Sequence, residues 1–363
     1  MRLQNKNVSN EKKRIAYFCS LALLFSYAEA FFPRVVPFFR LGFGNVAILL
    51  ALDFSLKPFL ILTLAKSIAA SLASGTLFSP FIAVSVAQSF FSGLTMWSLA
   101  RLCRGFFSVY GISMLGAAVS TCVQIFMASF IAGEGTMQLL APMLIFSQIA
   151  AVITAFLATK ISIPDELPKL PAAKEEKQSK LYQAGIPLAI ILSSAFVLSI
   201  KKIPILVDAF IAALLLQRLS GRKIKILPHV FLWIFFLLSN VFVPEGKVLL
   251  KVAGLQITEE AIRIGFTKAL AFSAIAALSQ CACLIKVSTD SIFAQSMLYF
   301  ENTVQVFKLS AKKNPIERLN EALAADSFLA KCKPNMATKG KSLFIAIAMV
   351  VTFSTLFLVN NLY

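Results

Sequence analysis

Apolar residues fall along this chain in long blocks, and polar residues collect between them. Eleven apolar blocks can be marked off, at about 15–32, 41–52, 58–73, 77–99, 109–132, 137–159, 183–200, 203–219, 226–243, 261–285 and 343–359. Most approach the roughly 20 residues that a helix needs to cross the hydrocarbon core of a bilayer. The 41–52 block is shorter. It follows a Pro-containing loop, Pro33 to Arg40, and stops at Asp53. The pattern predicts an all-α, polytopic transmembrane protein of about eleven spans. Ala28-Glu29-Ala30 has the look of a signal-peptide cleavage site, but Phe31-Phe32-Pro33 continues the apolar run. The expectation is an uncleaved first span.

The polar intervals divide the chain. Residues 161–180 hold Pro164, Pro168 and Pro171 among mixed charges (Asp165, Glu166, Lys174, Glu175, Glu176, Lys177) and read as a solvated cytoplasmic linker. A six-span half at 1–160 precedes it, and a second membrane half at 181–363 follows. Within the second half, Pro244 to Glu260 is polar with one short amphipathic piece. Residues 288–341 are mixed and basic, a pattern for amphipathic helices on the membrane face.

Composition reinforces the membrane reading. Hydrophobic residues make up 58% of the chain, charged residues only 14%, and the mean hydropathy is +0.80; soluble domains carry about 25% charged residues. The net charge of +18 does not indicate nucleic acid, because Lys and Arg sit in short runs between apolar blocks. Excess positive charge in cytoplasmic loops accounts for it. The N-terminal cluster (Arg2, Lys6, Lys12, Lys13, Arg14), Arg101 with Arg104, the linker, the Arg218 to Lys225 loop and the 288–341 segment share one side if every block crosses. This predicts an inner (plasma) membrane protein, in contact with lipid, with its N-terminus in the cytoplasm. Lys201, Lys202, Lys247 and Lys251 would lie on the other side.

Several kinds of chemistry lack their residues. The six cysteines form no pair of CxxC motifs, so neither a zinc site nor a disulfide framework is indicated. Cys281 and Cys283 form a lone C-x-C that reads as packing. There is no G-x-x-x-x-G-K-[ST], so ATP hydrolysis through a P-loop is not available to this chain. Asp53, Asp165, Asp208, Asp290 and Asp326 are isolated, so no cluster is set to hold Mg²⁺ on a diphosphate. No catalytic residue, metal ligand or cofactor is expected, and the lone His229 reads as an interface residue.

Polar side chains inside apolar blocks are costly and face protein or a cavity. They are Glu29, Asn45, Lys66, Gln88, Gln124, Gln148, Asp208, Asn240 and Lys268. Amides often only bridge helices. Glu29 and Lys66 carry full charges and need partners, and each could be the other's; Lys66 and Lys268 could also snorkel to an interface. Arg40-Leu41-Gly42-Phe43-Gly44-Asn45 is the most distinctive local sequence. Its glycines fit either a tight helix start or a backbone opened toward a ligand. Gln124 follows Gly116 by eight residues, roughly two turns, so both lie near one helix face.

Positions of about 20–160 resemble the Gx transporter family, also labelled heptaprenyl diphosphate synthase component I. That family is related to the substrate-binding S components of energy-coupling factor (ECF) transporters. The resemblance rests on Glu29, the Arg40-Leu41-Gly42-x-Gly44-Asn45 stretch, Gly75 with Ser79-Pro80-Phe81, Gly116-Ala117 and Gln124. The chain departs from the family at Lys66, near which the family usually has Arg, and at Ser120-Thr121, where it usually has His-Asn. More weakly, the second half resembles the transmembrane T component of the same transporters, through Pro244-Glu245-Gly246, the Gly254 to Glu260 stretch and Gly265. The Ala-Arg-Gly type motif that couples T components to ATPase subunits is not found between Ser288 and Lys341. The resemblance implies uptake of a small molecule, with ATPase subunits binding on the cytoplasmic face. The alternative it implies is a non-catalytic membrane subunit of a polyprenyl diphosphate synthase. Glu29, Arg40, Gly42, Gly44, Asn45, Lys66 and Gln124 are the expected substrate-binding set. A ligand-free membrane scaffold is the third reading.

Overall fold

The computed structural model describes residues 2–29, 42–74, 76–103, 105–164, 166–168, 180–241, 246–252, 255–284, 291–325 and 339–362. The first half contains α1 (Arg2–Glu29), α2 (Asn45–Leu50), α3 (Leu56–Ser74), α4 (Phe81–Leu102), α5 (Val109–Ala132) and α6 (Leu140–Lys160), with a 3-10 turn at Glu134–Leu139 before α6. The second contains α7 (Lys180–Ser199), α8 (Ile203–Leu219), α9 (Leu227–Val241), strands β1 (Val248–Val252) and β2 (Leu255–Thr258), α10 (Glu259–Gln280), α11 (Ile292–Leu309), α12 (Pro315–Ala324) and α13 (Lys339–Leu362).

Local sequence sets the ends of these helices. The hydroxyls of Ser108, Thr258 and Ser291 accept from the backbone N–H of Gly111, Ala261 and Ala294, capping α5, α10 and α11. Asn314 caps α12 with Pro315 as its first residue. Gly133, at φ +113°, ends α5.

Among the described residues, five helical segments are long and apolar enough to cross a membrane: Phe81–Leu102, Val109–Ala132, Glu134–Lys160, Glu259–Leu284 and Leu343–Asn361. Gly185–Ser199 and Leu227–Val241 are apolar but shorter. The outward faces carry large apolar side chains, among them Phe126 and Phe130 on α5, Ile145, Phe146 and Ile149 on α6, and Ile347, Val351 and Leu358 on α13. Continuous apolar surface of this extent faces lipid. The chain is an all-α polytopic membrane protein.

Each half has its own core. In the first, Tyr17, Leu21, Ile48, Phe59 and Leu62 pack together from α1, α2 and α3. In the second, Ile190, Leu206, Ile275, Leu278 and Phe353 join α7, α8, α10 and α13. Small residues let α9 and α10 approach closely: a Cβ at Gly265 would lie 3.1 Å from the carbonyl oxygen of Phe236. A third core is shared, with Ile125, Ala128 and Ala132 of α5 against Phe235, Phe236, Ala269 and Phe272 of α9 and α10.

The halves meet end against side. The backbone N–H of Phe78 donates to Ser279 Oγ at 2.9 Å, the Phe81 and Phe272 rings lie 5.7 Å apart, and Lys268 Nζ donates to the Ala132 carbonyl at 3.0 Å. Residues 78 and 132 belong to the same end of the first half, where α4 begins and α5 finishes. Their partners, 279 and 268, are separated by about 16 Å along α10. The end of the first half where α4 begins and α5 finishes thus packs against α10, and the last two turns of α5 line the shared core.

Three segments are specified further by the structure. The 41–52 block forms the six-residue α2, about 9 Å long and too short to cross a bilayer alone; Gly44 before it and the Leu52 to Ser55 turn after it limit its length. The short amphipathic piece expected between Pro244 and Glu260 is an antiparallel hairpin, β1 against β2. Its Val, Leu, Ile and Thr residues favour extended backbone. The amphipathic helices α11 and α12 lie against the first half. They pack into the core of the first half, with Tyr299, Leu319 and Leu323 buried beside Tyr17.

Candidate functional site

The first half assembles its polar residues around the start of α2. Gly42, at φ +91°, makes the turn, and its carbonyl accepts from the backbone N–H of Asn45 at 2.8 Å. A left-handed backbone at this point favours glycine. Gly44 is required for space. A Cβ there would stand 2.9 Å from Ser26 Oγ and 3.3 Å from the Ala22 carbonyl oxygen, both on α1. The start of α2 is thereby pressed onto α1.

Asn45 begins α2, and its Oδ1 accepts a hydrogen bond from Lys66 Nζ at 2.5 Å. Lys66 is buried in α3, and its Cδ comes within 3.9 Å of where a Gly44 Cβ would be. Burial in a membrane half requires a lysine to find such a partner. Glu29 is the last residue of α1 and is only 5% exposed. Ala22, Ser26 and Glu29 are spaced i, i+4, i+7, so they share the face of α1 that α2 rests on. Glu29 stands about 4.5 Å along the helix axis beyond Ser26.

Four of the seven expected residues, Gly42, Gly44, Asn45 and Lys66, are therefore in one place, with Glu29 on the adjoining helix face. Gln124 is buried on the inner face of α5 with Gly116, Ala117 and Thr121. Arg40 and Gly75 lie outside the described residues. Gly116 fills a packing role: its Cβ would collide with Met96, and its carbonyl accepts from Ser92 Oγ at 2.8 Å. Lys268 does not snorkel, but is held at the end of α5.

Sequence reasoning missed Ser26. The 22/26/29 spacing on a span that ends in a buried acid was a signal for it. It also missed the cover on the far side of α1. There Tyr17 and Tyr299 pack edge to face at 5.4 Å, Tyr17 donates to the Leu323 carbonyl at 3.0 Å, and Tyr299 donates to the Pro168 carbonyl at 3.0 Å. Asn320 bridges the end of α6, donating to the Lys160 carbonyl and accepting from the Ser162 N–H, each at 3.2 Å. The site is thus backed by a helix pair from the other half of the sequence.

The geometry defines a polytopic helical membrane protein with a buried Lys–amide–glycine cluster at the start of α2. Residues 18–161 match the family model of heptaprenyl diphosphate synthase component I. Residues 182–284 match a domain of unknown function (DUF8519). No curated protein and no solved structure matches the chain.

Proposed function

We propose that the chain is an uptake protein of the inner (plasma) membrane, with its N-terminus in the cytoplasm. The S-like first half binds a small molecule at the Gly42, Gly44, Asn45 and Lys66 cluster, with Glu29, Arg40 and Gln124 contributing. The T-like second half is the scaffold. The observation that carries this reading is the end-on packing of the first half against the flank of α10. A half with its own core and its own polar cluster, held at its end, is suited to reorient as a rigid body against the other, as transporters built of two halves do. Separate ATPase subunits would supply the energy, because the chain has no P-loop. The α11 and α12 helices, buried against α1, support a mechanical link between such subunits and the first half.

A second reading has its own support in the description of the matched family. There the chain is a non-catalytic membrane subunit that assists a polyprenyl diphosphate synthase. The isolated aspartates favour a non-catalytic role in either case.

Purification in mild detergent, with mass spectrometry of retained small molecules and proteins, separates the two. Uptake predicts a retained small molecule that Glu29→Gln and Asn45→Ala both release, together with ATPase subunits. Recovery of a prenyl synthase subunit, with no ATPase and no released ligand, overturns uptake and establishes the second reading.

A further inference from the structure

The loop joining α8 to α9 combines charge, apolar surface and a fixed shape. Arg218, Arg222, Lys223 and Lys225 are all exposed, and no acidic residue occurs from 209 to 241. Between and beside these cations stand Leu219, Ile224, Ile226 and Leu227, which are also exposed. Such apolar side chains would be an unfavourable companion to cations in open water, but suit the boundary between headgroups and acyl chains.

The loop is held in place by bonds to buried groups. Gln217 is buried, and its Nε2 donates to the Lys223 carbonyl at 3.2 Å while its own carbonyl accepts from the Arg222 N–H at 3.3 Å. Ser220 is buried as well; its Oγ donates to the Gln217 carbonyl at 2.6 Å, and the Cys283 thiol lies 3.7 Å from its own carbonyl. Gly221, at φ +92°, completes the turn. The cations are therefore displayed on a preset backbone, which lowers the ordering cost of binding.

The loop also stands at a bilayer edge. The Ser220 to Cys283 contact puts it beside the end of α10, in a helical segment long and apolar enough to cross the membrane. The opposite edge of the second half is marked by Lys201 and Lys202, whose N–H groups face Asn360 near the end of α13.

From these features we propose that the α8–α9 loop is a docking surface for anionic phospholipid headgroups of the leaflet on its own side. The four cations meet the phosphates, and Ile224, Ile226 and Leu227 enter the acyl boundary. Clusters of this size next to a span attract anionic lipid with an appreciable contribution from each charge.

The test uses the full chain in nanodiscs of phosphatidylcholine, with or without phosphatidylglycerol at about a third of the lipid. Thermal unfolding and native mass spectrometry of retained lipid are read for the wild type and for the Arg218→Gln/Arg222→Gln/Lys223→Gln/Lys225→Gln variant. The wild type is expected to unfold several degrees higher with phosphatidylglycerol and to retain it preferentially. The variant is expected to match the wild type in phosphatidylcholine, lose most of the added stability and retain roughly tenfold less anionic lipid. The double variant Arg222→Gln/Lys223→Gln is expected to lose part of both and keeps the test open if the quadruple one fails to fold. Unchanged lipid preference in these variants overturns the proposal, whether or not their topology is inverted. So does loss of a bound soluble protein with lipid retention unchanged.

Discussion

The Lys268 ammonium, on α10, donates to the carbonyl of Ala132, the last residue of α5, at 3.0 Å. Asn240 Oδ1 lies 3.5 Å from the same ammonium. The last carbonyls of a helix have no partner within it and carry the negative end of its dipole. Gly133 turns the chain away at φ +113°, a backbone conformation that residues other than glycine rarely adopt. This bond runs from one half of the protein to the other, inside the core shared by α5, α9 and α10.

Lys268→Met keeps the length of the side chain and removes the donor. The Ala132 carbonyl then stays buried without its partner, at a cost of about 1–3 kcal/mol. The unfolding temperature in detergent should fall by a few degrees, and Lys268→Arg should recover part of the loss. If residues 1–165 and 175–363 are expressed as separate chains, they should still co-purify, and Lys268→Met should reduce the yield of the pair. A Lys268→Met protein as stable as the wild type, with undiminished pairing, would show that the bond does not join the halves.

Gly44 and Ser26 give a second test. Gly44 has an ordinary helical backbone, at φ −59°, so only space forbids a side chain. Gly44→Ala should destabilise by about 1–3 kcal/mol through overpacking and displace Asn45 from Lys66. Ser26→Ala removes the oxygen that the new Cβ would strike and should restore a good part of the stability. Its recovery will be incomplete, because the Ala22 backbone carbonyl stays 3.3 Å away. A double-mutant cycle on unfolding temperatures measures the coupling; additivity would mean that α2 does not rest on α1 here.

The apolar blocks made the membrane class and most helices legible, because block length and composition alone set whether a segment can live in lipid. The Gly42 to Asn45 stretch was legible for the same reason: glycines and an amide are out of place in an apolar block unless the backbone is crowded or turned there. Lys66 was visible as a cost, but its partner Asn45 was not, since their pairing depends on where α2 falls against α3. The position of α11 was hidden more deeply. Tyr299, Leu319 and Leu323 lie in a segment polar enough to read as solvated, and their burial depends on contacts with Tyr17, nearly 300 positions earlier. The contact between the halves rests on Phe78, Phe81 and Ala132, and no periodicity reports such long-range partners.

The tyrosine pair predicts a pH dependence as well as a mutational one. Burial pushes the Tyr299 phenol from 10.0 up to about 12. Its raised value means that the stability gained by burying the neutral phenol is complete below pH 10.0 and is lost as pH rises toward 12. Tyr299→Phe removes the part of that dependence due to Tyr299 together with one hydrogen bond, worth about 0.5–1.5 kcal/mol. In hydrogen exchange, Tyr17→Phe/Tyr299→Phe should loosen α12 and residues 162–168 at neutral pH and leave α8 and α9 unchanged. Equal protection in the variant would mean that the apolar contacts of α11 and α12 suffice without the two hydroxyls.

The end-on contact can be trapped in the membrane. The bond from the Phe78 N–H to Ser279 Oγ, at 2.9 Å, brings the two backbones within the reach of a disulfide, which joins Cα atoms about 5.5–6 Å apart. In a background with the native cysteines replaced, Phe78→Cys/Ser279→Cys should therefore cross-link in isolated membranes under mild oxidation. A control pair built from Phe78→Cys and Ile262→Cys should not. Residue 262 lies about 25 Å from 279 along α10, at the level that 78 would reach only if the first half slid along that helix. If uptake requires the first half to reorient, the cross-linked protein should retain its small molecule but fail to deliver it, and reduction should restore delivery. Cross-linking that leaves uptake at the wild-type rate would separate the observed packing from the transport cycle and would make the joint between the halves a fixed one.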